Sequence, residues 1–263
     1  MATADMAGDL ALALDAALLM ERAGVMPDPW QARVLRSSAP RVLLNCCRQS
    51  GKSTTTAGLA LHTALYEPES LILLLSPGER QSMELLRKVL GIYRALDRPV
   101  PAEAENKLTL ELENGSRIVA LPGNEGTIRG YSGVRCLVVD EASRVADDLM
   151  AAVRPMLAVS GGRLIALSTP MGKRGWWWHA WEQGGATWER VKVTAAECPR
   201  ISPAFLAEER ATLGDLFYRS EYLCQFVETE DQVFGYDLVQ SCIDPDVLPL
   251  FPAATREDVW VTS

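Results

Sequence analysis

Hydrophobic residues along this chain fall into two alternating patterns. Four short runs, 41–45 (RVLLN), 71–75 (LILLL), 136–139 (CLVV) and 163–167 (RLIAL), are almost unbroken in hydrophobicity, as strands covered on both faces must be. Between them, residues 52–66, 79–95 and 147–157 carry helix-like patterns. The alternation predicts an α/β domain with a mainly parallel sheet. Residues 108–113 and 116–121 alternate apolar and polar positions around Asn114-Gly115, which predicts a hairpin. The stretch from Leu10 to Met20 predicts one further helix. It lacks a basic leader, contains Asp15 and is too short to span a bilayer. No internal repeat or low-complexity segment interrupts these patterns.

Composition narrows the picture. The 263 residues, 48% hydrophobic and 23% charged, suffice for one sizeable core, or for one core and a small appendage. A net charge of −8 and a pI near 5.0 exclude a uniformly basic nucleic-acid footprint, so any DNA contact must be local. The six cysteines, at 46, 47, 136, 198, 224 and 242, form no CxxC pair, which argues against structural zinc. His62 and His179 have no nucleophile or base beside them in sequence. They read as ordinary polar or half-buried residues and give Ser/His or Cys/His catalysis little support.

Candidate chemistry begins at Cys46-Cys47-Arg48-Gln49-Ser50-Gly51-Lys52-Ser53, between the first buried strand and a helix pattern. A phosphate-binding loop needs that placement, because successive backbone N–H groups and a helix N-terminus then face one anion. Lys52 would reach the β- and γ-phosphates, and the Ser53 hydroxyl would bind Mg²⁺. Cys46 stands where the first glycine of the usual motif would be. Val138-Val139-Asp140-Glu141 ends the third buried strand in adjacent carboxylates, at the sheet edge where α/β proteins bind ligands. Asp140 would hold Mg²⁺, and Glu141 would orient and deprotonate an attacking water. Ser168-Thr169-Pro170 closes the fourth strand. Hydroxyls there can sense whether a γ-phosphate is present, and the proline ends the strand.

The ordered set resembles the ATPase domain of bacteriophage large terminases, over roughly residues 25 to 230. Arg48-Gln49-Ser50-Gly51-Lys52-Ser53 resembles that family's deviant Walker A, Asp140-Glu141 its Walker B, and Ser168-Thr169-Pro170 its coupling motif. Pro29-Trp30-Gln31 is similar to its Q-motif, in which Gln31 would read the adenine edge. Ser76-Pro77 resembles motif Ia, and Ile128-Arg129-Gly130 the segment that carries an arginine finger. The resemblance implies a RecA-like P-loop ATPase core of the additional-strand, catalytic-glutamate type at residues 1–170, a lid at 171–230, and a tail at 231–263 leading toward a nuclease domain. Asp231, Asp237, Asp244 and Asp246, in a segment without a strand pattern, are not assigned as nuclease ligands.

Implied site residues are Gln31, Arg48, Gln49, Ser50, Gly51, Lys52, Ser53 and Thr54 for nucleotide, Ser53 and Asp140 for Mg²⁺, and Glu141, Arg129 and Arg48 for catalysis. Implied ligands and partners are ATP, Mg²⁺, double-stranded DNA, a viral portal protein, a small terminase subunit and further copies of the chain. Those copies would form a ring, a pentamer on the portal and a monomer in isolation, in the host cytoplasm and with no membrane. The expected function is ATP-driven movement of double-stranded DNA into a capsid. Alternatives from other classes are a helicase-like DNA-dependent ATPase and a nucleotide-dependent binding switch. Trp176, Trp177, Trp178, Trp181 and Trp188 read as packing rather than base stacking. Lys173, Arg174, Arg94, Arg98 and Lys107 read as solvated surface charge with phosphate contact as the alternative.

Overall fold

The structure is a computed structural model that describes residues 2–123, 130–228, 234–244 and 247. Eight strands form one sheet in the order β3-β4-β5-β2-β6-β7-β1-β8. Its strands are β1 (Arg41–Cys46), β2 (Leu71–Ser76), β3 (Ala102–Glu105), β4 (Thr109–Leu112), β5 (Arg117–Pro122), β6 (Val134–Asp140), β7 (Arg163–Ser168) and β8 (Glu189–Val193). All pairings from β5 across to β8 are parallel, whereas β3 and β4 are antiparallel at one edge. The four runs expected as buried strands are β1, β2, β6 and β7. Their positions are buried almost throughout, as helices on both faces of a parallel sheet require. The expected hairpin is β4–β5, turning at Asn114 and Gly115, the latter at φ +80.

Ten helices are described: α1 (Ala2–Leu14), α2 (Ala16–Arg22), α3 (Pro29–Arg36), α4 (Lys52–Tyr66), α5 (Glu79–Ala95), α6 (Asp147–Val153), α7 (Gly175–Gln183), α8 (Pro203–Leu213), α9 (Asp215–Glu221) and α10 (Tyr236–Ser241). The single helix expected from Leu10 to Met20 is instead divided between α1 and α2. Asp15 sits extended between them and accepts from the Ala17 N–H at 2.8 Å. A short carboxylate satisfies a helix N-terminus better than it propagates a helix, so it starts a new one. Likewise 147–157 is α6 followed by a 3₁₀ turn, Arg154–Leu157. Pro155 has no N–H to give an α-helical ladder.

Alternate strand residues face two apolar layers. Ile72, Leu74, Val138 and Ile165 meet α3, α4 and α5 through Val34, Leu61, Leu86 and Val89. Leu73, Leu75, Leu137 and Leu164 meet Leu149, Val153 and Trp177 on the other side. Each such fully buried side chain contributes about 1.5–3 kcal/mol of apolar transfer. Trp177 and Trp178 are buried, and the Trp176 indole N–H donates to the Val145 carbonyl at 3.0 Å. The tryptophans thus serve packing. His62 meets the Leu12 carbonyl at 3.0 Å, and burial lowers its pKa.

Contacts divide the chain into compact units at Met1–Val227 and Glu228–Ser263. The segment read as a lid lies in the first unit up to Val227, and its β8 pairs with β1 as an edge strand of the core sheet. No helix among the described residues is long and apolar enough to cross a membrane.

Candidate nucleotide-binding site

Three strand ends define the site. Asn45 of β1 aligns with Ser168 of β7, and Asp140 of β6 aligns with Leu167, so β7 lies between β1 and β6. Parallel pairing therefore carries the loop after β1, the Asp140-Glu141 pair and Ser168-Thr169-Pro170 to one carboxyl edge of the sheet.

Between β1 and α4 the chain turns through two left-handed positions, Gln49 at φ +60 and Gly51 at φ +91. Gly51 is the N-cap of α4, where a side chain would be strained. The Cys47 and Arg48 N–H groups are spent on the carbonyls of Val193 and Glu221, at 2.9 and 3.1 Å. Among the described residues nothing accepts from the backbone N–H of Gln49, Ser50, Gly51, Lys52 or Ser53. Thr54 donates to the Gly51 carbonyl at 3.0 Å. Five successive free donors at a helix N-terminus are suited to an anion. The Ser50 hydroxyl is buried in this loop with no described partner.

The two expected acids lie against this loop. Ser53 Oγ donates to Asp140 Oδ2 at 3.1 Å, and Lys52 Nζ is 3.6 Å from Glu141 Oε1. Asp140 is buried, and burial raises its pKa above the ordinary carboxylate value, helped by the neighbouring Glu141 charge. Its other oxygen accepts from the Glu141 N–H at 2.9 Å, and Glu141 is itself left-handed at φ +49. A hydroxyl and a carboxylate 3.1 Å apart are the hard oxygen donors that Mg²⁺ takes from a protein while keeping water and phosphate oxygens for the rest of its shell. The described residues contain no cluster of three or more His, Cys, Asp or Glu able to hold a metal, so such a cation would need those outside ligands.

Ser168 Oγ lies 2.7 Å from Ser143 Oγ and accepts from the Ser143 N–H at 3.2 Å. The end of β7 is therefore tied to the turn two residues after Glu141. Thr169 is buried beside it, and the Pro170 carbonyl accepts from Ser220 Oγ at 2.8 Å. One residue further on, buried Glu221 accepts from Arg48 Nε at 2.7 Å. Arg48 is therefore on the loop as expected, with its guanidinium half exposed and paired to α9. Gln31 also reaches the loop. Its Oε1 accepts from the Asp28 N–H at 2.8 Å, closing a capping box on α3, and its Nε2 donates to the Ser50 carbonyl at 3.3 Å. The other Nε2 N–H has no described acceptor.

Several neighbours had no signal in their own stretch of sequence. Glu221 and Arg200 meet the loop from 173 and 150 residues away along the chain, and Ser143 and Ser220 meet the 168–170 segment. Asp28 alone was legible, since Asp28-Pro29-Trp30-Gln31 is a helix start with N-cap, N1 proline and N3 glutamine. Arg129 lies outside the described residues. Arg94 and Arg98 pair with Glu105, which fits ordinary surface charge.

The family model of the N-terminal part of the terminase large subunit, T4likevirus-type, matches residues 43–241. The large terminase subunit of Thermus virus P23-45 is 25% identical over 256 residues, covering 83% of this chain and 53% of that protein. That of Thermus phage G20c is 24% identical with the same coverage. The chain thus spans about half the length of these curated relatives. Among solved structures, the large terminase ATPase domain of Thermus phage P74-26 matches with a TM-score of 0.70 at 21% identity, over 79% of this chain and 97% of that one. The HK97 bacteriophage large terminase matches at 0.64 and 18%, over 76% and 51%. The large terminase of a thermophilic bacteriophage in complex with ADP matches at 0.63 and 11%, over 76% and 53%. These likenesses establish the RecA-like fold. With the family model covering most of its length, the chain belongs to the terminase large subunits of the T4likevirus type, through their N-terminal region.

Proposed function

We propose that the chain binds Mg-ATP at this edge and transfers its γ-phosphoryl group to water, and that the reaction drives double-stranded DNA into a capsid. The observation that carries the reading is the pairing of Ser53 with Asp140 at 3.1 Å beside Lys52 with Glu141 at 3.6 Å. A lysine cation, a hydroxyl and two carboxylates grouped in this way support the binding of a Mg²⁺-bound phosphate. The free N–H groups of Gln49 to Ser53 would cradle the phosphates, and Lys52 would neutralise the β- and γ-oxygens. Ser53 and Asp140 would hold the Mg²⁺, which when bound offsets charge on those same oxygens. Glu141 would take the proton of the attacking water as the bond from the γ-phosphorus to the ADP oxygen breaks. A binding switch has no need of that second carboxylate, which favours hydrolysis.

In this reading Gln31 faces adenine and Arg48 exchanges Glu221 for the γ-phosphate. Ser168, Thr169 and Pro170 report the phosphate state through Ser143 on one side and Ser220 on the other. Within residues 171–230, the part that follows β8 of the core sheet acts as a lid, and 231–263 lead toward a nuclease domain. The partners are the portal, the small terminase subunit and neighbouring copies in a ring, in the host cytoplasm. Arg129, in the Gly-flanked stretch 126–131, completes a neighbour's site.

Mixing two variants tests this directly. Wild type hydrolyses ATP, whereas Arg129→Ala and Glu141→Gln are each silent alone. When mixed one to one in assembled rings they recover activity, because about a quarter of interfaces then combine an intact Glu141 with a neighbour's intact Arg129. The readout is steady-state phosphate release, with assembly shown by sedimentation. Assembled but silent mixtures contradict the shared site, and a silent wild type contradicts hydrolysis itself.

A further inference from the structure

Arg200 lies in the turn after β8 and belongs to none of the phosphate-loop motifs. Its guanidinium nevertheless makes three hydrogen bonds beside the loop, one of them to the loop itself. Nη1 and Nη2 grip the two Asp28 carboxylate oxygens at 2.9 and 2.7 Å, and Nη2 also donates to the Ser50 carbonyl at 2.8 Å. Asp28 is the N-cap of α3, whose Trp30, Val34 and Leu35 are buried. The fork is therefore anchored to a packed element rather than to a mobile side chain. Gln31 donates to the same carbonyl from the same helix at 3.3 Å. Both partners stand against the loop so closely that a Cβ on Gly51 would lie 2.5 Å from Gln31 Nε2 and 3.5 Å from Arg200 Nη2.

The consequence lies in the peptide between Ser50 and Gly51. In a trans peptide the C=O and the N–H point in opposite directions. Drawing the Ser50 carbonyl toward Arg200 and Gln31 turns the Gly51 N–H away from them. That N–H is one of the five consecutive donors without a described acceptor. Pinning the carbonyl thus fixes the direction of a phosphate donor before any ligand arrives, so that less ordering is left for binding to supply.

We infer that Arg200 is a positioning residue for nucleotide phosphate, acting through the Ser50–Gly51 peptide and recognising no base. The inference rests on the phosphate-loop reading of residues 46–53 and adds to it a residue about 150 positions away in sequence. Its signature is a loss of affinity that is independent of the nucleobase. Gln31, by contrast, keeps an N–H free for a base.

The test is equilibrium binding of Mg²⁺ complexes of ATP, GTP and inorganic tripolyphosphate to the full chain and to Arg200→Ala, alongside steady-state kinetics. Arg200→Ala weakens all three ligands by the same factor, about tenfold, the size of one lost charge-assisted contact. KM for ATP rises by that factor, while kcat falls by less than about threefold. Arg200→Lys keeps the charge but not the fork and recovers only part of the loss. It also stands in if the alanine variant melts early. Unchanged tripolyphosphate affinity in a folded Arg200 variant overturns the inference, and so does a loss confined to ATP, which would make Arg200 a base reader. A wild-type chain that binds none of the three overturns the phosphate-loop reading, and the inference falls with it.

Discussion

Asp140 is the residue at which folding and the proposed Mg-ATP site oppose each other. Burial and the adjacent Glu141 both raise its pKa above the ordinary aspartate value, outweighing Lys52, the Glu141 N–H and Ser53. A carboxyl group with a raised folded pKa keeps its proton in the fold at pH values where the unfolded chain has lost it. Its stabilising share is complete below the unfolded pKa and is lost as the pH rises through the folded one. At neutral pH the ionised group is therefore a cost in the nucleotide-free protein. Asp140→Asn should therefore raise the nucleotide-free Tm at about pH 7.5. The gain should shrink toward about pH 4. Mg-ATP should then stabilise the variant far less than wild type. Melting scans across that range check the sign, and an Asp140→Asn protein less stable at neutral pH contradicts it. Lys52, Ser53, Asp140 and Glu141 were legible because each sits in a local pattern that the chemistry dictates. Arg200 and Glu221 were not, since their roles arise only when distant segments meet.

Among the elements, unbroken hydrophobic runs marked β1, β2, β6 and β7 because burial on both faces leaves no room for polar residues. β8 escaped notice, because an edge strand has only one neighbour and its sequence, Glu-Arg-Val-Lys-Val, buries only alternate residues. β3, Ala-Glu-Ala-Glu, is at the opposite edge and alternates half-buried with exposed residues, none of them fully buried. Helix breaks at Asp15 and Pro155 follow from capping and a missing donor, yet an apolar period alone runs through both. Gly162 illustrates what only packing shows. It leads into β7, and a Cβ there would be driven into the Val134 and Arg135 carbonyls of β6 and the Leu157 side chain. Backbone cannot yield as a flexible side chain does, so Gly162→Ala should cost about 1–3 kcal/mol and lower Tm by several degrees. Gly8→Ala, inside α1 and meeting nothing within 4 Å, should not lower it, since helix propensity there favours alanine by about 0.5–1 kcal/mol. Equal melting of the two variants would show that the β6–β7 approach is looser than described.

For the molecule as a whole, the order of the sheet decides which segments meet at the candidate site. β7 lies between the strand that leads into the phosphate loop and the strand that ends in two carboxylates, so chain segments beginning at residues 41, 134 and 163 build one edge. The parallel class was legible from alternation, whereas the order of the strands was not, because periodicity says which residues are buried and not which strands are neighbours. The −8 net charge keeps any grip on DNA local. The proposed hydrolysis depends on Glu141 acting on water beside an intact phosphate site, and comparing wild type with Glu141→Gln in equilibrium Mg-ATP binding and in single-turnover hydrolysis tests it most directly. The amide keeps shape and hydrogen bonding but cannot take the water's proton. Glu141→Gln should bind with a Kd within about threefold of wild type and hydrolyse about 10²- to 10⁴-fold more slowly. Wild-type hydrolysis by Glu141→Gln would contradict that role of Glu141.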